Sequence, residues 1–198
     1  MARPERTASA EAFYSVGEAR RYDGSARMAV TQRALADRAL QLLDLPAGVP
    51  ALLLDAGCGT GLVGVELKKH GFSNFYGADL SQKLLDLVPK DLYHKLDKVD
   101  LNKPINEKDN SFDAVMCVGT FTFGHVKPPA LDEFIRITKD KGLICFTINE
   151  GIHEEYGFDK KIDQLNKDNK WKEIEFFKSD YIASKDVNAW LGLYEVIK

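Results

Sequence analysis

One segment constrains this chain more than any other: Ala51-Leu-Leu-Leu-Asp-Ala-Gly-Cys-Gly-Thr-Gly61. A short continuous apolar run closed by an acid suits a buried parallel strand. Three alternating glycines follow at once, and glycine lets a backbone approach a ligand without Cβ clashes. Helical spacing then resumes at Leu62 and continues to about His70. Strand, glycine turn and helix together make the first βα turn of a doubly wound sheet, where backbone N–H groups and a helix N-terminus face a ligand.

The flanking sequence agrees with such a sheet. Residues 11–21 and 27–43 show helical spacing, with Leu35, Ala39, Leu42 and Leu43 on one stripe. Pro46, Gly48 and Pro50 end the second helix. Strands are predicted at 51–54, 74–78, 93–99, 112–118 and 142–147. Helices are predicted at 62–70, at 81–88 with Ser81 as N-cap, from Pro128 and Pro129 to Thr138, and at 160–167. Residues 171–177 and 190–197 read as two closing strands. Strands alternating with helices imply a parallel sheet with right-handed crossovers. The expected fold is therefore α/β and Rossmann-like: seven mostly parallel strands, helices on both faces and an antiparallel last strand. The whole chain, 1–198, reads as one domain in which the helices of residues 1–45 cover the cofactor.

Two cofactor readings compete at the loop. Gly59-Thr-Gly61-Leu-Val-Gly64 matches the dinucleotide pattern G-x-G-x-x-G, and Asp79 stands about 20 residues on, where a ribose-binding acid belongs. The frame is wrong, however. The first glycine after the strand is Gly57, and counting from it puts Leu62 where the third glycine should be. The pattern D-x-G-x-G-x-G fits with no shift from Asp55 to Gly61. A carboxylate at that place repels a pyrophosphate and suits an ammonium. S-adenosylmethionine (SAM) carries an ammonium and a sulfonium and no phosphate, so SAM, with S-adenosylhomocysteine (SAH) as product, is the expected ligand.

Ligands of open α/β sheets lie outside the carboxyl ends of the strands. The cofactor site is therefore expected to use Asp55, Ala56, Gly57, Cys58, Gly59 and Gly61 of the loop. Asp79, Leu80 and Ser81 would follow from the second strand, Asp100 and Leu101 from the third, and Val118 from the fourth. Asp79 would accept from the ribose hydroxyls. Asp100 would accept from the adenine amino group, or be a solvated loop acid, with Leu80 and Leu101 packing the ring.

Composition narrows the class. Net charge is −3, which gives no electrostatic footprint for nucleic acid. No apolar run is long enough to span a membrane, and the polar start, Met1-Ala-Arg-Pro-Glu-Arg6, has no h-region, so the protein is expected in the cytoplasm or nucleus. Cys58, Cys117 and Cys145 form no C-x-x-C pair and read as reduced thiols; no metal site is expected. One shift is abrupt. Up to Leu67 every Lys/Arg position is arginine, and from Lys68 onward all but Arg136 are lysine. The break falls inside a helix beside the glycine loop, so a domain boundary there would cut the site in half. Either a mosaic of two related sequences, joined near residues 61–68, or chance drift in codon usage accounts for the shift.

The residues carry a family resemblance. The loop is similar to that of class I SAM-dependent methyltransferases. From about Glu11 to Gly64 the chain (Ala12-Phe-Tyr14, Glu18-Ala-Arg-Arg-Tyr22, Arg27-Met28, Leu54 to Gly64) resembles the eukaryotic small-subunit rRNA guanine-N7 methyltransferases encoded in the Williams–Beuren region. From about Gly61 onward (Gly71-Phe72, Leu92-Tyr93, Phe112 to Gly119, Thr138-Lys139, Gly142-Leu143) it resembles a methyltransferase-like family of the same region. The resemblance implies that a helix bearing Tyr14, Arg20 and Tyr22 folds over the cofactor, with a tyrosine and an arginine at the methionine carboxylate, or else packs that aromatic and arginine face on the core. The basic C-terminal tail of the rRNA enzymes is not matched, and the substrate-side half differs. Guanine-N7 chemistry and docking to that family's small activator protein are therefore not expected to carry over.

Methyl transfer is an in-line displacement, and the enzyme mostly supplies proximity and orientation. Val118-Gly119-Thr120-Phe121 lacks the [DN]-P-P-[FY] of amino-methyltransferases, and Cys117 is not preceded by proline as a cytosine-C5 nucleophile would be. His125, in the loop after the fourth strand, is the weak candidate for a general base. Phe121 and Phe123 either wall the acceptor pocket or belong to the core. Two functions stay open: an active SAM-dependent methyltransferase with an unidentified acceptor, or a SAM- or SAH-binding hybrid with little turnover.

Overall fold

The computed structural model describes residues 16–43, 45, 50–179 and 188–198. The predicted helix start at Glu11, and Tyr14, lie outside them. The described elements are α1 (Val16–Asp23), α2 (Ala26–Leu43), β1 (Leu53–Ala56), α3 (Leu62–Lys69), β2 (Phe75–Asp79), α4 (Gln82–Leu85), β3 (Lys95–Lys98), β4 (Phe112–Phe121), α5 (Ala130–Ile137), β5 (Thr138–Asn149), α6 (Glu150–His153), α7 (Phe158–Lys167), β6 (Trp171–Ser179) and β7 (Ala189–Val196).

One sheet of seven strands runs β3-β2-β1-β4-β5-β7-β6. Strands β1 to β5 are parallel to one another, and β7 is antiparallel to both β5 and β6. β1 is buried along its whole length because its neighbours and both helical layers enclose it. The chain goes from β1 to β2 on one side and later returns to β4 on the other. The crevice above β1 is thus a topological switch point, where such sheets bind ligands.

Helices cover both faces. On one, Leu35, Ala39 and Leu43 of α2 and Val63 and Leu67 of α3 pack on Leu53, Phe75, Ala114 and Met116. An ion pair from Arg33 to the buried Glu66, at 3.6 Å, joins the same two helices. On the other face, Leu131 and Phe134 of α5 and Phe158 and Ile162 of α7 pack on Val115, Cys117 and Phe146.

The structure differs from the sequence-based expectation at several joints, each for a local reason. The helix expected at 81–88 is only Gln82–Leu85, because Pro89 disfavours helical backbone at Val88 and the chain turns back to bury Leu92. β3 starts at Lys95 rather than Tyr93. β5 starts at Thr138, where the helix was expected to end; Thr138 is extended and pairs with Phe112, and the register with β4 then shifts, with Lys141 at φ 60°, before Ala114 pairs with Leu143. α6 was not expected at all; Asn149 caps it by accepting from the Gly151 N–H at 3.0 Å. Ser81 sits at the N-cap of α4, but its hydroxyl makes no cap hydrogen bond.

Candidate cofactor site

β1 delivers Asp55 to the foot of the glycine loop with 1% exposure. The Tyr93 hydroxyl donates to its Oδ2 at 2.6 Å. The other oxygen, Oδ1, is buried and has no hydrogen-bond partner among the described residues. Burial pushes the Asp55 carboxyl up to about 7; the Tyr93 hydrogen bond works against that rise and the nearby Asp79 adds to it.

Gly57, Gly59 and Gly61 all have positive φ, at 80°, 56° and 88°. At Gly57 the requirement is double, since a Cβ there would lie 2.0 Å from the Thr120 hydroxyl oxygen. The loop is clamped onto the end of β2. Gly57 and Cys58 donate to the Ala78 carbonyl at 2.7 and 3.0 Å, and Gly59 donates to Asp79 Oδ2 at 3.0 Å. Gly61 donates to the Cys58 carbonyl at 2.8 Å. Asp79 also accepts from the Ser81 N–H at 2.8 Å, and burial raises its carboxyl pKa.

This arrangement tests the two cofactors. A pyrophosphate needs free loop N–H groups, and here those of Gly57, Cys58, Gly59 and Gly61 already have protein acceptors. Among the described residues of this site, the buried polar atoms left without partners are an acidic oxygen, Asp55 Oδ1, and the hydroxyl of Thr60. Such a site suits a cation with hydroxyls, as in SAM, and does not suit a dinucleotide. Gly64, the third glycine of the dinucleotide imitation, serves packing instead: a Cβ there would lie 2.4 Å from the Tyr93 hydroxyl.

The remaining expected residues are distributed as follows. Ala56, Cys58, Ser81, Leu101 and Val118 are buried, and Leu80 is half-buried. A cleft beside the loop is lined by Gly57 to Thr60, Leu62, Val63, Val118, Gly119 and Gln32. Asp100 is half-buried; it accepts from the Asn102 N–H at 3.0 Å and pairs with Lys103 at 3.2 Å, contacts that hold its carboxyl below the usual range despite some burial. Arg20 is exposed on α1, and the backbone of Tyr22 lies in the same helix.

On the acceptor side, Phe121 and Phe123 are core residues. Phe121 packs against Phe134, Phe146 and Phe158, and Phe123 meets Tyr156 edge-on. Cys117 is fully buried in β4 and its thiol pKa is raised by burial, consistent with a core role. Cys58 and Cys145 are also buried free thiols. His125 is half-buried; its carbonyl accepts from Asn102 at 3.4 Å. Among the described residues no group of histidines, cysteines and acids could hold a metal, and no helix is long and apolar enough to cross a membrane.

Sequence reading missed three contributors. Tyr93 was assigned to a strand, and nothing in its neighbourhood marks it. Thr120 was read only as part of a motif comparison. Gln32 did leave a signal: it occupies the next position on the Leu35, Ala36, Ala39 stripe of α2, a polar residue where core spacing calls for an apolar one. It is 7% exposed, with its side-chain amide against Gly119.

Comparison with known proteins agrees with this geometry. Residues 54–146 match the family model described as a methyltransferase domain. In solved structures, the magnesium protoporphyrin IX methyltransferase of Synechocystis PCC 6803 with bound SAM superposes at TM-score 0.69 with 17% identity, over 93% of each chain. The Haloferax volcanii methyltransferase chain from a complex with the Trm112 activator reaches TM-score 0.71 with 16% identity, over 92% of this chain and 95% of that one. Fold and loop thus define the class: the chain has the Rossmann-like fold of class I methyltransferases, and its residues 54–146 are similar to a methyltransferase domain. More narrowly, the chain is similar to human methyltransferase-like protein 27, with 33% identity over 127 residues (62% of this chain, 51% of that protein), and to the mouse 18S rRNA (guanine-N(7))-methyltransferase, with 37% identity over 117 residues (59% and 41%). The chain spans about half the length of these relatives.

Proposed function

We propose that this chain transfers the methyl group of SAM to an acceptor that enters above the carboxyl ends of β4 and β5. One observation carries the reading: a loop in which the N–H groups of Gly57, Cys58, Gly59 and Gly61 already have protein acceptors lies over a buried carboxylate with an unpaired oxygen. Asp55 supplies negative charge for the ammonium. Asp79 keeps lone pairs for the ribose hydroxyls although each of its oxygens already accepts one backbone N–H. Leu80, Leu101 and Val118 give the adenine an apolar seat. Gln32 closes the cleft from α2, in keeping with N-terminal helices that cover the cofactor; Tyr14, Arg20 and Tyr22 are the further residues assigned to that cover, at the methionine carboxylate. When bound, SAM supplies an activated methyl group, and the chain supplies proximity and a dry, oriented site. His125, in the turn after β4, is the candidate to take a proton if the acceptor carries one.

Calorimetric titration with SAM and SAH tests the cofactor assignment. Binding is expected in the micromolar range typical of enzyme ligands, and Asp79→Ala is expected to weaken it. No binding at millimolar ligand would overturn the assignment. Turnover screened on RNA, protein and metabolite pools then identifies the acceptor.

A second reading is a recombined hybrid that binds SAM with little turnover. The switch from arginine to lysine inside α3, and the similar identity to two sets of relatives, favour it. Its two parts have a common core, since Leu35 and Leu53 before the switch pack with Phe75 and Ala114 after it. SAH binding with no turnover on any pool is the result this reading expects. The Trm112 partner of the archaeal chain is not carried over, because a shared fold does not carry interface chemistry.

A further inference from the structure

Tyr93 stands just before β3, and its ring is seated by missing side chains. A Cβ at Gly64 in α3 would lie 2.4 Å from its hydroxyl oxygen, and one at Gly77 in β2 would lie 3.0 Å from its ring. Neither glycine has a positive φ, so backbone conformation does not demand them. Glycine inside a helix or strand costs about 0.5–1 kcal/mol relative to alanine. Two such positions surround one phenol, whose ring is also held edge-on by Phe75 at 5.3 Å. Together they admit the hydroxyl to Asp55 Oδ2, at 2.6 Å.

We propose that Tyr93 is the positioning residue of the cofactor site: its O–H pins one oxygen of Asp55 and so supports the carboxylate charge that answers the cofactor's ammonium. This rests on the reading of Asp55 given above. The groups around Asp55 make the support necessary. Asp79 from the end of β2 is a like charge. The thiols of Cys58 in the loop and Cys117 in β4 are themselves held neutral by burial. The Gly64 N–H of α3 and the Tyr93 hydroxyl favour the anion. Of the two, only Tyr93 comes from a side chain and can be removed without disturbing the backbone.

The test uses the full chain and the variants Tyr93→Phe and Gly64→Ala. SAH affinity is measured by calorimetry at pH 6, 7 and 8.5, and the ratio of variant to wild-type Kd cancels the ligand's own titration. Loss of one hydrogen bond to the carboxylate is expected to weaken binding about threefold to tenfold at pH 6–7, with the ratio approaching one at pH 8.5. Gly64→Ala, which displaces the hydroxyl, is expected to show the same pattern. Without ligand, carbon NMR of the aspartate carboxyls, with Asp55 assigned through Asp55→Asn, is expected to show the Asp55 midpoint rising in Tyr93→Phe. A ratio independent of pH, or an unmoved Asp55 midpoint, would reduce Tyr93 to packing and overturn the proposal. If the midpoint moves while Asp55→Asn binds SAH as the wild type does, the ammonium reading of Asp55 has failed and the proposal falls with it.

Discussion

The two ends of the sheet are built on opposite terms. Above β1 and β2 the interior is polar: Asp55, Asp79, Thr60 and Tyr93 crowd under the glycine loop, and two of these leave buried atoms unpaired. Across β5, β7 and β6 it is aromatic. Phe146 stacks on Tyr194 at 5.5 Å with 3° between planes, Trp171 lies on Tyr194 at 4.1 Å, and Phe176 lies on Trp190 at 5.1 Å. A site that must keep a charge desolvated weakens its own surroundings, and the aromatic half supplies the stability that tolerates this. Stability and binding should therefore respond to different residues.

The largest expected effect lies in the aromatic half. Phe146 has no exposed surface and touches Phe121, Trp171 and Tyr194. Phe146→Ala should cost about 3–5 kcal/mol in urea unfolding. SAH affinity, measured well below the lowered Tm, should stay within about twofold of wild type, since additivity holds for sites without shared partners. A loss of affinity that parallels the loss of stability would dissolve the division between the two halves.

The next effect is in the polar half and has the opposite sign. The Asp55 carboxyl is raised to about 7 in the folded chain, from an ordinary value of 3.8. The folded state therefore holds a proton that the unfolded state releases. Stability from this group is full below about pH 4 and is lost as pH rises to 7. Asp55→Asn cannot ionise, so it should gain on the wild type across that window, by on the order of 2–4 kcal/mol at pH 8, while binding SAH less tightly. Unfolding midpoints of both proteins at pH 5 and pH 8 read this directly. Equal pH profiles would show that Asp55 is not the strained group.

The same contrast explains what was legible in the sequence. The loop announces itself because three glycines and an acid must stand in fixed order for chemical reasons, and the alternation of strands and helices follows from apolar periodicity. Tyr93 was hidden because its contact with Asp55 depends on Gly64 and Gly77, which are distant along the chain and are read locally as a motif or a weak strand. Phe121 and Phe123 stayed ambiguous because an aromatic looks the same in sequence whether it lines a pocket or fills a core. The short α4 and the early start of β5 depend on Pro89 and on a pairing of Thr138 with Phe112 that no local window contains.

The smallest expected effect separates two acids that looked equivalent in the sequence. Asp79 and Asp100 both follow strands on the polar half, and both were assigned to the adenosine. Their surroundings differ. Asp79 is held by the Gly59 and Ser81 N–H groups of the loop and of α4, so it is fixed where a ribose would lie. Asp100 is engaged by Asn102 and by Lys103, whose side chain is mostly exposed. An adenine amino group would have to compete with that cation, and exposed pairs of this kind contribute about 0–1 kcal/mol. Asp79→Asn should thus weaken SAH binding about tenfold, by loss of charge-assisted hydrogen bonds. Asp100→Asn should change it less than about threefold, with stability altered by under about 1 kcal/mol. Calorimetry on the two variants side by side decides the matter. Equal losses would mean that Lys103 swings away when the cofactor binds, and that the loop after β3 belongs to the site as fully as the loop after β1.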